Sequence, residues 1–375
     1  MYPMVSILWI NHNSYRIIKV VLDSLQAVLH LDYPRERYEL IVVDNGSTDG
    51  SFETIKAFLD ERGDMKVKVI RLERNLGFNG GNNTAYKARN PESKYVMLLN
   101  NDAILFPESL RSLIEYIESR ENVGAVQGVI VDMDSGNIDT AGDMITEFLI
   151  PYQLYHDRNP QSVKKSFYIS YPDGANALLK VDAVKKATGF KDKIFYDEMF
   201  AYFDDSILGL QLWNKGFKVI SCPVVTALHR RSSSFNQMPF TKLYLMMRGY
   251  FALNELCNSR YRGLIRSLFP LRVLRTYIAL TLASRFIGGR YRLGFASGEL
   301  LHAVYRGYVD GVCWGEKRLR EIGTPIDIYK IPLLKESFRS ISRIFTGIGV
   351  DYLRRFYTEH ITREFEREIN RFVAD

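Results

Sequence analysis

The chain has 375 residues, 46% of them hydrophobic and 25% charged, a balance that excludes a disordered or fibrous protein. No apolar run reaches the about 18 residues of a membrane-spanning helix, the amino terminus lacks a secretory signal pattern, and three scattered cysteines indicate neither a disulfide framework nor a zinc site. The net charge of +7 comes from residues 229–375, whereas residues 1–228 are acidic. We expect a cytoplasmic protein that does not bind nucleic acid, with a basic tail that either meets an anionic partner or is simply solvated.

Strands and helices alternate over about the first 130 residues. This alternation predicts an α/β fold with an open, mostly parallel sheet and helices on both faces. The apolar runs typical of buried strands are residues 5–10, 40–43, 67–72, 95–99 and 125–131. The helical patterns between them are residues 15–31, 52–59 and 110–117. Ligands of such sheets bind beyond the carboxyl ends of the strands, where the polar residues are Asn11, Asp44, Asn75, Asn100, Asn101 and Asp102.

The pattern changes along the rest of the chain. Residues 133–170 are irregular and predict loops or a hairpin, and a helix at 207–216 precedes a last strand at 218–222. Beyond residue 240 every predicted element is a helix: 240–256, 264–286, 293–308 and 341–372. This change predicts a domain boundary close to residue 238.

Two polar segments in the front half are candidates for ligand binding. Residues 75–83, NLGFNGGNN, contain glycines that would let the backbone approach a ligand, although a plain turn explains them equally well. Asp102 follows a buried strand within the sequence Asn100-Asn101-Asp102. Its carboxylate is suited either to binding a hard divalent cation or to capping the helix that begins near Pro107.

Charged residues in the second half suggest acid–base or metal chemistry. Asp204 and Asp205 open the helix at 207–216, so that one carboxylate could cap the helix and the other act as a general base toward a substrate hydroxyl. His229 precedes two arginines, Arg230 and Arg231. It could join a metal site or bind phosphate, although a lone histidine is more often structural.

The order of these segments resembles glycosyltransferase family 2, whose members have the GT-A (Rossmann-like) fold. The resemblance covers about residues 4–235 and is closest to the rhamnosyltransferase-like branch, which also reads Asn-x-Gly-Phe-x-Gly-Gly-Asn. No single segment is specific, but the set is. The matching segments are VSILWINHN at 5–13, IVVDNGSTDG at 41–50, NLGFNGGNN at 75–83, LNND at 99–102, GANALL at 174–179 and YFDD at 202–205.

The resemblance implies a metal-dependent transfer of a sugar, with inversion, from a dTDP-, UDP- or GDP-linked donor to an acceptor hydroxyl. The acceptor would be a glycan or a lipid-linked saccharide in polysaccharide or glycoprotein assembly. Asp205 matches the catalytic base, and Asp102 with His229 matches the site for Mg²⁺ or Mn²⁺. The residues implied to bind the nucleotide sugar are Asn11, Asn13, Asp44, Asn75, Gly77, Asn79, Gly80, Asn82, Asn101 and Arg231. Those implied to contact the acceptor are Gly174, Asn176 and Asp204.

Three positions depart from the family pattern. Asn100 replaces the first Asp of an Asp-x-Asp motif, Asp204 replaces a Glu, and residues 206–208 lack an acid often found there. The two carboxylates that the mechanism needs are retained. By this resemblance residues 1–238 form the catalytic domain, with a nucleotide-binding half at 1–132 and an acceptor-binding half at 133–238. Residues 239–375 then form a basic helical extension.

The basic extension has two interpretations. Residues 268–286 carry arginines among apolar side chains, which suits a helix lying in an anionic membrane surface, on the inner face of the cell membrane. A lipid-linked acceptor would make that placement useful. The alternative is a helical bundle that packs on the catalytic domain or forms a homodimer.

Other functions fit parts of the sequence. A sugar-nucleotide pyrophosphorylase would need a glycine-rich loop with Arg and Lys after the first strand, where this chain reads NHNSYR at 11–16. A processive polysaccharide synthase would carry Gln-x-x-Arg-Trp and several spanning helices, and we find neither. A non-catalytic binding or scaffold protein on a decayed transferase fold is the third alternative, and the retained Asp44, Asp102 and Asp205 argue against it.

Overall fold

The computed structural model describes residues 2–62, 66–230, 239–267, 269, 293–335 and 371–374. The chain divides into two compact units. Unit 1 consists of Met1–Met144, Gln153–Gln237 and Phe372–Asp375, and unit 2 consists of Ile145–Tyr152 and Met238–Arg371. Every candidate site residue that the structure describes belongs to unit 1.

The described strands and helices follow in chain order. The strands are β1 (Val5–Asn11), β2 (Tyr38–Asp44), β3 (Val67–Arg71), β4 (Tyr95–Asn100), β5 (Ala103–Leu105), β6 (Val123–Asp132), β7 (Ile138–Thr140), β8 (Asp143–Thr146), β9 (Pro151–Gln153), β10 (Phe167–Tyr168), β11 (Asn176–Lys180), β12 (Lys218–His229) and β13 (Leu333–Leu334). The α-helices are α1 (Ile18–Leu29), α2 (Ser51–Asp60), α3 (Gly77–Ala88), α4 (Ser109–Glu118), α5 (Val181–Thr188), α6 (Asp204–Asn214), α7 (Pro239–Leu256) and α8 (Leu293–Ile322).

The large sheet of unit 1 has the strand order β10-β12-β6-β11-β4-β1-β2-β3. Four neighbours, β4, β1, β2 and β3, are parallel, and β6 and β12 are parallel to each other. Strand β11 runs antiparallel between β4 and β6. The predicted α/β class with a mostly parallel sheet is therefore confirmed, and the antiparallel strand in its middle is an addition that the sequence did not indicate.

The core of unit 1 forms because two helices carry an apolar stripe at the spacing of one helical face. Trp9 in β1 lies in this core, and its indole N–H donates to Ser24 Oγ of α1 at 3.1 Å. Each fully buried Leu, Ile or Val contributes on the order of 1.5–3 kcal/mol relative to its exposed state. The buried stripe residues are Val21, Leu25 and Val28 of α1 with Leu110, Leu113, Ile114 and Ile117 of α4.

The strand register brings the polar ends of the strands together. Asn11, the last residue of β1, is paired with Asp44 of β2, and Ile10 is paired with Asn100 of β4. On the other side of the sheet, His229 at the end of β12 is paired with Ala103 of β5. Because parallel strands end at the same edge, the predicted residues at the strand ends, including Asn11, Asp44, Asp102 and His229, lie along one edge of the sheet.

The glycine-rich segment is a helix, not a turn or a loop. Residues Gly77–Ala88 form α3, although Gly and Asn have low helix propensity. A Cβ atom at Gly81 would lie 2.8 Å from Cγ2 of Ile10, so the glycine permits a close approach of α3 to β1. Tertiary packing against the sheet therefore overrides the local preference.

In unit 2, helices α7 and α8 pack closely against each other. Three glycines spaced four residues apart, Gly307, Gly311 and Gly315, lie against α7, where a Cβ atom on Gly311 would come within 2.4 Å of the carbonyl oxygen of Arg248. Phe251 of α7 packs edge-on against Tyr308 of α8 with ring centroids 4.7 Å apart. Helix α7 agrees with its predicted range of 240–256, and α8 extends past its predicted end to Ile322.

The remaining helical predictions of the extension are covered only in part. The ranges 264–286 and 341–372 lie largely outside the described residues, so both stay predictions. Within the described ranges, no helix combines the length and the hydropathy that crossing a membrane requires.

We predict that Gly311→Ala destabilises the protein by about 1–3 kcal/mol, because the added methyl group must displace the α7 backbone. The matched control is Gly298→Ala, in the same helix, where a Cβ atom would meet nothing within 4 Å. That variant should be neutral or more stable by up to about 1 kcal/mol through helix propensity alone. Thermal unfolding followed by circular dichroism compares the two, and equal melting temperatures would contradict the predicted close packing.

Candidate active site

Residues that are predicted to bind the nucleotide sugar form one buried hydrogen-bonded network at the ends of three strands. The amide of Asn11 donates to Oδ1 of Asp44 at 2.9 Å and to Oγ of Ser47 at 3.1 Å. Its carbonyl oxygen accepts a hydrogen bond from Nδ2 of Asn101 at 3.1 Å. Each of these side chains is less than 9% exposed. The ends of β1, β2 and β4 are thus locked to one another before any ligand binds.

The turn after β2 completes this corner of the site. Asn13, with φ of 45°, accepts a hydrogen bond from the Thr48 amide at 2.9 Å through its side chain. Arg71, which sequence reasoning did not single out, lies 3.8 Å from Oδ2 of Asp44 and donates to the carbonyl oxygen of Ser47 at 3.3 Å. The partly exposed guanidinium places a positive charge beside this network.

Asn45 joins this corner to the start of α3. Its Nδ2 donates to the carbonyl oxygen of Gly77 at 2.9 Å, and its Oδ1 accepts from the Leu76 amide at 2.8 Å. Asn75 caps the same turn by accepting from the Gly77 amide at 2.8 Å. The predicted residues Asn75 and Gly77 therefore adjoin the strand-end network.

Three residues of α3 that are predicted to bind the nucleotide contact other parts of the protein and not the strand-end network. Asn79 donates to the carbonyl oxygen of Tyr196 at 3.0 Å, and Asn82 donates to Phe78 of its own helix at 2.9 Å. Gly80 packs under Leu76, whose Cβ would be 2.5 Å from an added methyl group. In this structure all three contact protein, and their role in nucleotide binding stays a prediction. Arg231 lies outside the described residues.

Asp102 and His229, the predicted metal residues, face each other. Nε2 of His229 lies 3.4 Å from Oδ1 of Asp102, and Nδ1 lies 2.8 Å from Oδ2 of Asp139. Burial alone would lower the pKa of His229, but the hydrogen bonds and charges of the two carboxylates raise that pKa to about 10. Asp139 lies in the irregular segment and was missed, because nothing in its sequence surroundings marks it.

This donor set fits a divalent cation once His229 has lost its proton, because only the neutral imidazole binds a metal ion. Adjacent ligands of an octahedral ion with bonds of about 2.1 Å are about 3 Å apart, close to the separation of the Asp102 and His229 atoms. The Asp139 carboxylate bonded to the other ring nitrogen is the arrangement that orients metal-binding histidines. Within the described ranges no group of three or more His, Cys, Asp or Glu side chains is placed to hold a metal, so diphosphate and water oxygens would complete the shell.

Asp205, the predicted base, begins α6 with Asp204. Its Oδ1 accepts from the Ser206 amide at 2.7 Å and its Oδ2 from the Gly174 amide at 3.4 Å. Burial raises the pKa of Asp205 well above the usual range, and the nearby charges of Asp204 and Asp173 raise it further. A carboxylate with a raised pKa is a stronger proton acceptor than an ordinary aspartate once it is ionised.

Two hydrogen bonds connect Asp205 with the strand end that precedes Asp102. The Gly174 amide contacts Asp205, and the carbonyl oxygen of the next residue, Ala175, accepts from the Asn100 amide at 3.0 Å. Asn100 precedes Asp102 by two residues. The predicted base and the predicted metal residues therefore flank the same end of β4.

The other predicted acceptor residues are less accessible. Asn176 is fully buried and accepts a hydrogen bond from Oγ1 of Thr226 at 2.8 Å, so it faces the protein interior. Asp204 is only 6% exposed. Contact of either residue with an acceptor stays a prediction, and Gly174, next to Asp205, is the best placed of the three.

A mostly parallel sheet with carboxylates at the ends of its strands is the architecture of the GT-A glycosyltransferases. The mannosyltransferase PcManGT from Pyrobaculum calidifontis, solved with GDP-Man and Mn²⁺, has this fold; it is 15% identical, with a TM-score of 0.50 over 98% of this chain and 87% of its own. Residues 6–187 match Glycosyl transferase family 2. Over these residues the chain is similar to that family, in agreement with the resemblance seen in the sequence, which favours a transferase domain over a pyrophosphorylase.

Two relatives in sequence are also named as glycosyltransferases. "Probable glycosyltransferase YdaM" of Bacillus subtilis is 27% identical over 220 residues, which cover 58% of this chain and 48% of that protein. "Dolichyl N-acetyl-alpha-D-glucosaminyl phosphate 3-beta-D-2,3-diacetamido-2,3-dideoxy-beta-D-glucuronosyltransferase" of Methanococcus voltae is 25% identical over 247 residues, 62% of this chain and 72% of that protein. The chain spans about half the length of YdaM.

Proposed function

We propose that the protein is a metal-dependent, inverting glycosyltransferase that moves a sugar from a nucleoside diphosphate to an acceptor hydroxyl. The observation that carries the proposal is the short path of hydrogen bonds from Asp205 through Gly174 and Ala175 to Asn100. This path brings a carboxylate with a raised pKa to the strand edge where Asp102 and His229 face each other. One reacting sugar could then meet both groups.

Asp102 and His229 would hold Mg²⁺ or Mn²⁺, which supplies positive charge to the leaving diphosphate when bound. Asp139 holds the ring of His229 so that Nε2 faces Asp102. PcManGT and a GalNAc-T7 structure of the same fold, the latter 12% identical with a TM-score of 0.50, were both solved with Mn²⁺. The fit of this chain's own donor set supports the same class of ion here.

Asp205 would accept the proton of the acceptor hydroxyl as its oxygen attacks the anomeric carbon. The amide groups of Ser206 and Gly174 fix the carboxylate by donating to its two oxygens. Attack on the face opposite the leaving diphosphate gives the inverted anomer. A positioned base of this kind contributes about 10²–10⁴-fold to the rate.

The strand-end network would hold the nucleotide part of the donor. Asn11, Asp44 and Asn101 are already fixed by one another, so this part of the pocket needs little ordering on binding. PcManGT was solved with GDP-Man, and GalNAc-T7 with UDP. A GDP-, UDP- or dTDP-linked donor is therefore the proposed class.

A lipid-linked saccharide is a proposed acceptor. The relative from Methanococcus voltae is named for a dolichyl phosphate-linked sugar. The basic extension would bring the enzyme to such a substrate on an anionic membrane surface. The alternative proposed role of the same helices is dimerisation. Flotation of the full chain with anionic but not zwitterionic vesicles would support the membrane role, and no flotation with either would contradict it.

Incubation with UDP-, GDP- and dTDP-sugars and Mn²⁺ tests the proposed activity. We expect one donor class to be consumed, by transfer or slow hydrolysis, and the released sugar to carry the inverted anomeric configuration in its first NMR spectrum. Retention of configuration would contradict the single-displacement mechanism. No consumption of any donor with either Mn²⁺ or Mg²⁺ would favour the non-catalytic scaffold.

We predict that Asp139→Asn weakens Mn²⁺ binding in the presence of nucleoside diphosphate by about 10–100-fold, because the amide no longer holds the ring of His229 as a charged acceptor. Calorimetric titration of Mn²⁺ measures the change. Asp134→Asn is the matched control, an exposed acid that follows β6. Equal Mn²⁺ affinity in the two variants would contradict the role of Asp139.

A further inference from the structure

One buried amide side chain holds the segment that leads into Asp205. Nδ2 of Asn83, in α3, donates to the carbonyl oxygen of Phe195 at 2.8 Å and to Oδ1 of Asp197 at 2.7 Å. Its Oδ1 accepts from the amides of Ile194 and Phe195 at 2.9 and 3.0 Å. An asparagine side chain has two N–H donors and two acceptor sites, and all four are used on this one segment.

The first turn of α3 adds two further attachments to the same segment. The backbone amide of Asn79 donates to the carbonyl oxygen of Phe200 at 3.1 Å, and its side chain donates to Tyr196. Gly77, with φ of +77°, lies so close to Phe200 that a Cβ atom would be 2.3 Å from that carbonyl oxygen. Residues 194–197 and Phe200 are therefore attached to α3.

Between the residues held by α3 and Asp205, the backbone has positive φ angles, which residues other than glycine rarely adopt. Phe200, Tyr202 and Phe203 have φ values of 61°, 70° and 65°. Such residues keep positive φ only where the surrounding structure fixes them, and they concentrate at functional sites. The next two residues are Asp204 and Asp205, so the position of the proposed base depends on how firmly residues 194–203 are held.

The start of α3 also contacts the network at the ends of β1 and β2, where the nucleotide is proposed to bind. Asn45, which follows Asp44, bonds to Gly77 and Leu76 at the start of α3. Helix α3 thus touches the strand-end network with its first residues and the base-carrying segment with the side chains of its first two turns.

We propose that Asn83 is a positioning residue for Asp205, a role that rests on the proposed function. In this role Asn83 acts through residues 194–203, whose first residues it holds, and not by direct contact with the reacting groups. Loss of its hydrogen bonds would let the first turn of α6 move, taking the Asp205 carboxylate out of line with the acceptor. Nucleotide binding at the strand ends would be retained, because the bonds of Asn45 and Asn75 are unaffected.

Asn83→Ala tests the proposal, with Thr84→Ala as its control. Thr84 neighbours Asn83, and among the residues that the structure describes its hydroxyl donates to the carbonyl oxygen of Gly80 in its own helix. For Asn83→Ala we expect kcat to fall by about 10–100-fold, as misplacement of a catalytic group by about 1 Å can cost, with the donor KM within about twofold of the parent value. The acid limb of the pH profile should move to lower pH, because a loosened Asp205 is better solvated. Thr84→Ala should match the parent protein in both respects.

Hydrogen–deuterium exchange of peptides covering residues 194–206 gives a readout that does not need turnover. We expect at least about tenfold faster exchange in Asn83→Ala than in the parent, because the Ile194 and Phe195 amides lose their acceptor. Should Asn83→Ala fail to fold, Asn83→Asp replaces it: it keeps the acceptor for the Ile194 and Phe195 amides but places a negative charge next to Asp197, so the same fall in kcat is expected with faster exchange at and beyond residue 197.

The outcomes separate this proposal from the proposed function. A folded Asn83 variant with parental kcat, pH profile and exchange would overturn the positioning role. A variant that exchanges faster but keeps the parental kcat and pH profile would also overturn it, since Asn83 would then be merely structural. An inactive parent protein would contradict the proposed function instead. Hydrogen–deuterium exchange would then be the remaining test of whether Asn83 holds residues 194–203, and exchange equal to that of the parent would overturn this role.

Discussion

Asp205→Asn is expected to lower the rate of sugar transfer by about 10²–10⁴-fold while leaving the affinity for nucleoside diphosphate within about twofold. The amide has nearly the same shape and its one oxygen can still accept from Ser206, while its NH2 group loses the longer hydrogen bond from Gly174 and cannot take the proton of an acceptor hydroxyl. Steady-state transfer kinetics and calorimetry of the nucleotide measure the two quantities separately. Transfer at the parental rate would remove Asp205 from the mechanism.

The pH dependence of the parent protein gives an independent signature of this base. Burial, with the charges of Asp204 and Asp173, raises the pKa of Asp205. Transfer should therefore fall as pH decreases through a value above the about 3.9 of an ordinary aspartate. Between these two values the folded state binds more protons than the unfolded state, so the contribution of Asp205 to stability decreases as pH rises through this window.

Stability measurements extend the same argument to the variant. Asp205→Asn removes a buried carboxylate that is costly to ionise, so at neutral pH the variant should melt at a higher temperature than the parent while being inactive. Asp182→Asn is the matched control, because Asp182 is an exposed acid in the first turn of α5. That control should keep the parental transfer rate and show no comparable stabilisation.

Asp102→Ala is expected to weaken the binding of nucleoside diphosphate in the presence of Mn²⁺ by at least about tenfold, and to leave metal-free binding unchanged. Asp102 supplies one of the two facing donor atoms, and His229 alone cannot hold a hard cation against water. Calorimetric titrations with and without Mn²⁺ give the comparison.

Asp134→Ala, an exposed acid beyond β6, serves as the control for this measurement and should bind like the parent protein. A metal-independent affinity that is identical in the parent, Asp102→Ala and Asp134→Ala would contradict the metal site. Weaker binding in Asp102→Ala both with and without Mn²⁺ would instead indicate that Asp102 supports the pocket through its contacts with neighbouring residues.

The alternating strands and helices could be predicted because their signal is local. The run at 40–43 lies inside β2, and the helix predicted at 15–31 contains α1. Helix α3 could not be predicted in this way, because its glycines and asparagines disfavour a helix until Ile10 and residues 194–200 pack against it. Strand β12 likewise continues past its predicted end at residue 222 to His229 through register shifts that no pattern marks.

The partners of the candidate site residues were hidden for a different reason. Asp139 is 90 residues from His229, and Gly174 is 31 residues from Asp205, so no spacing rule pairs them. The family resemblance supplied the identity of Asp102, His229 and Asp205, while the folded chain supplies what orients them. Asn83 illustrates the difference, since it belongs to a recognised motif but its hydrogen bonds are made more than 110 residues away.

The anomalous scattering of Mn²⁺ in crystals grown with nucleoside diphosphate tests the central claim most directly. We predict one strong peak within bonding distance of Asp102 and His229, contacted by the diphosphate, with the Asp205 carboxylate across an open space of about one sugar ring. Mn²⁺ and diphosphate bound elsewhere, or bound here with Asp205 walled off from them by protein, would contradict the account.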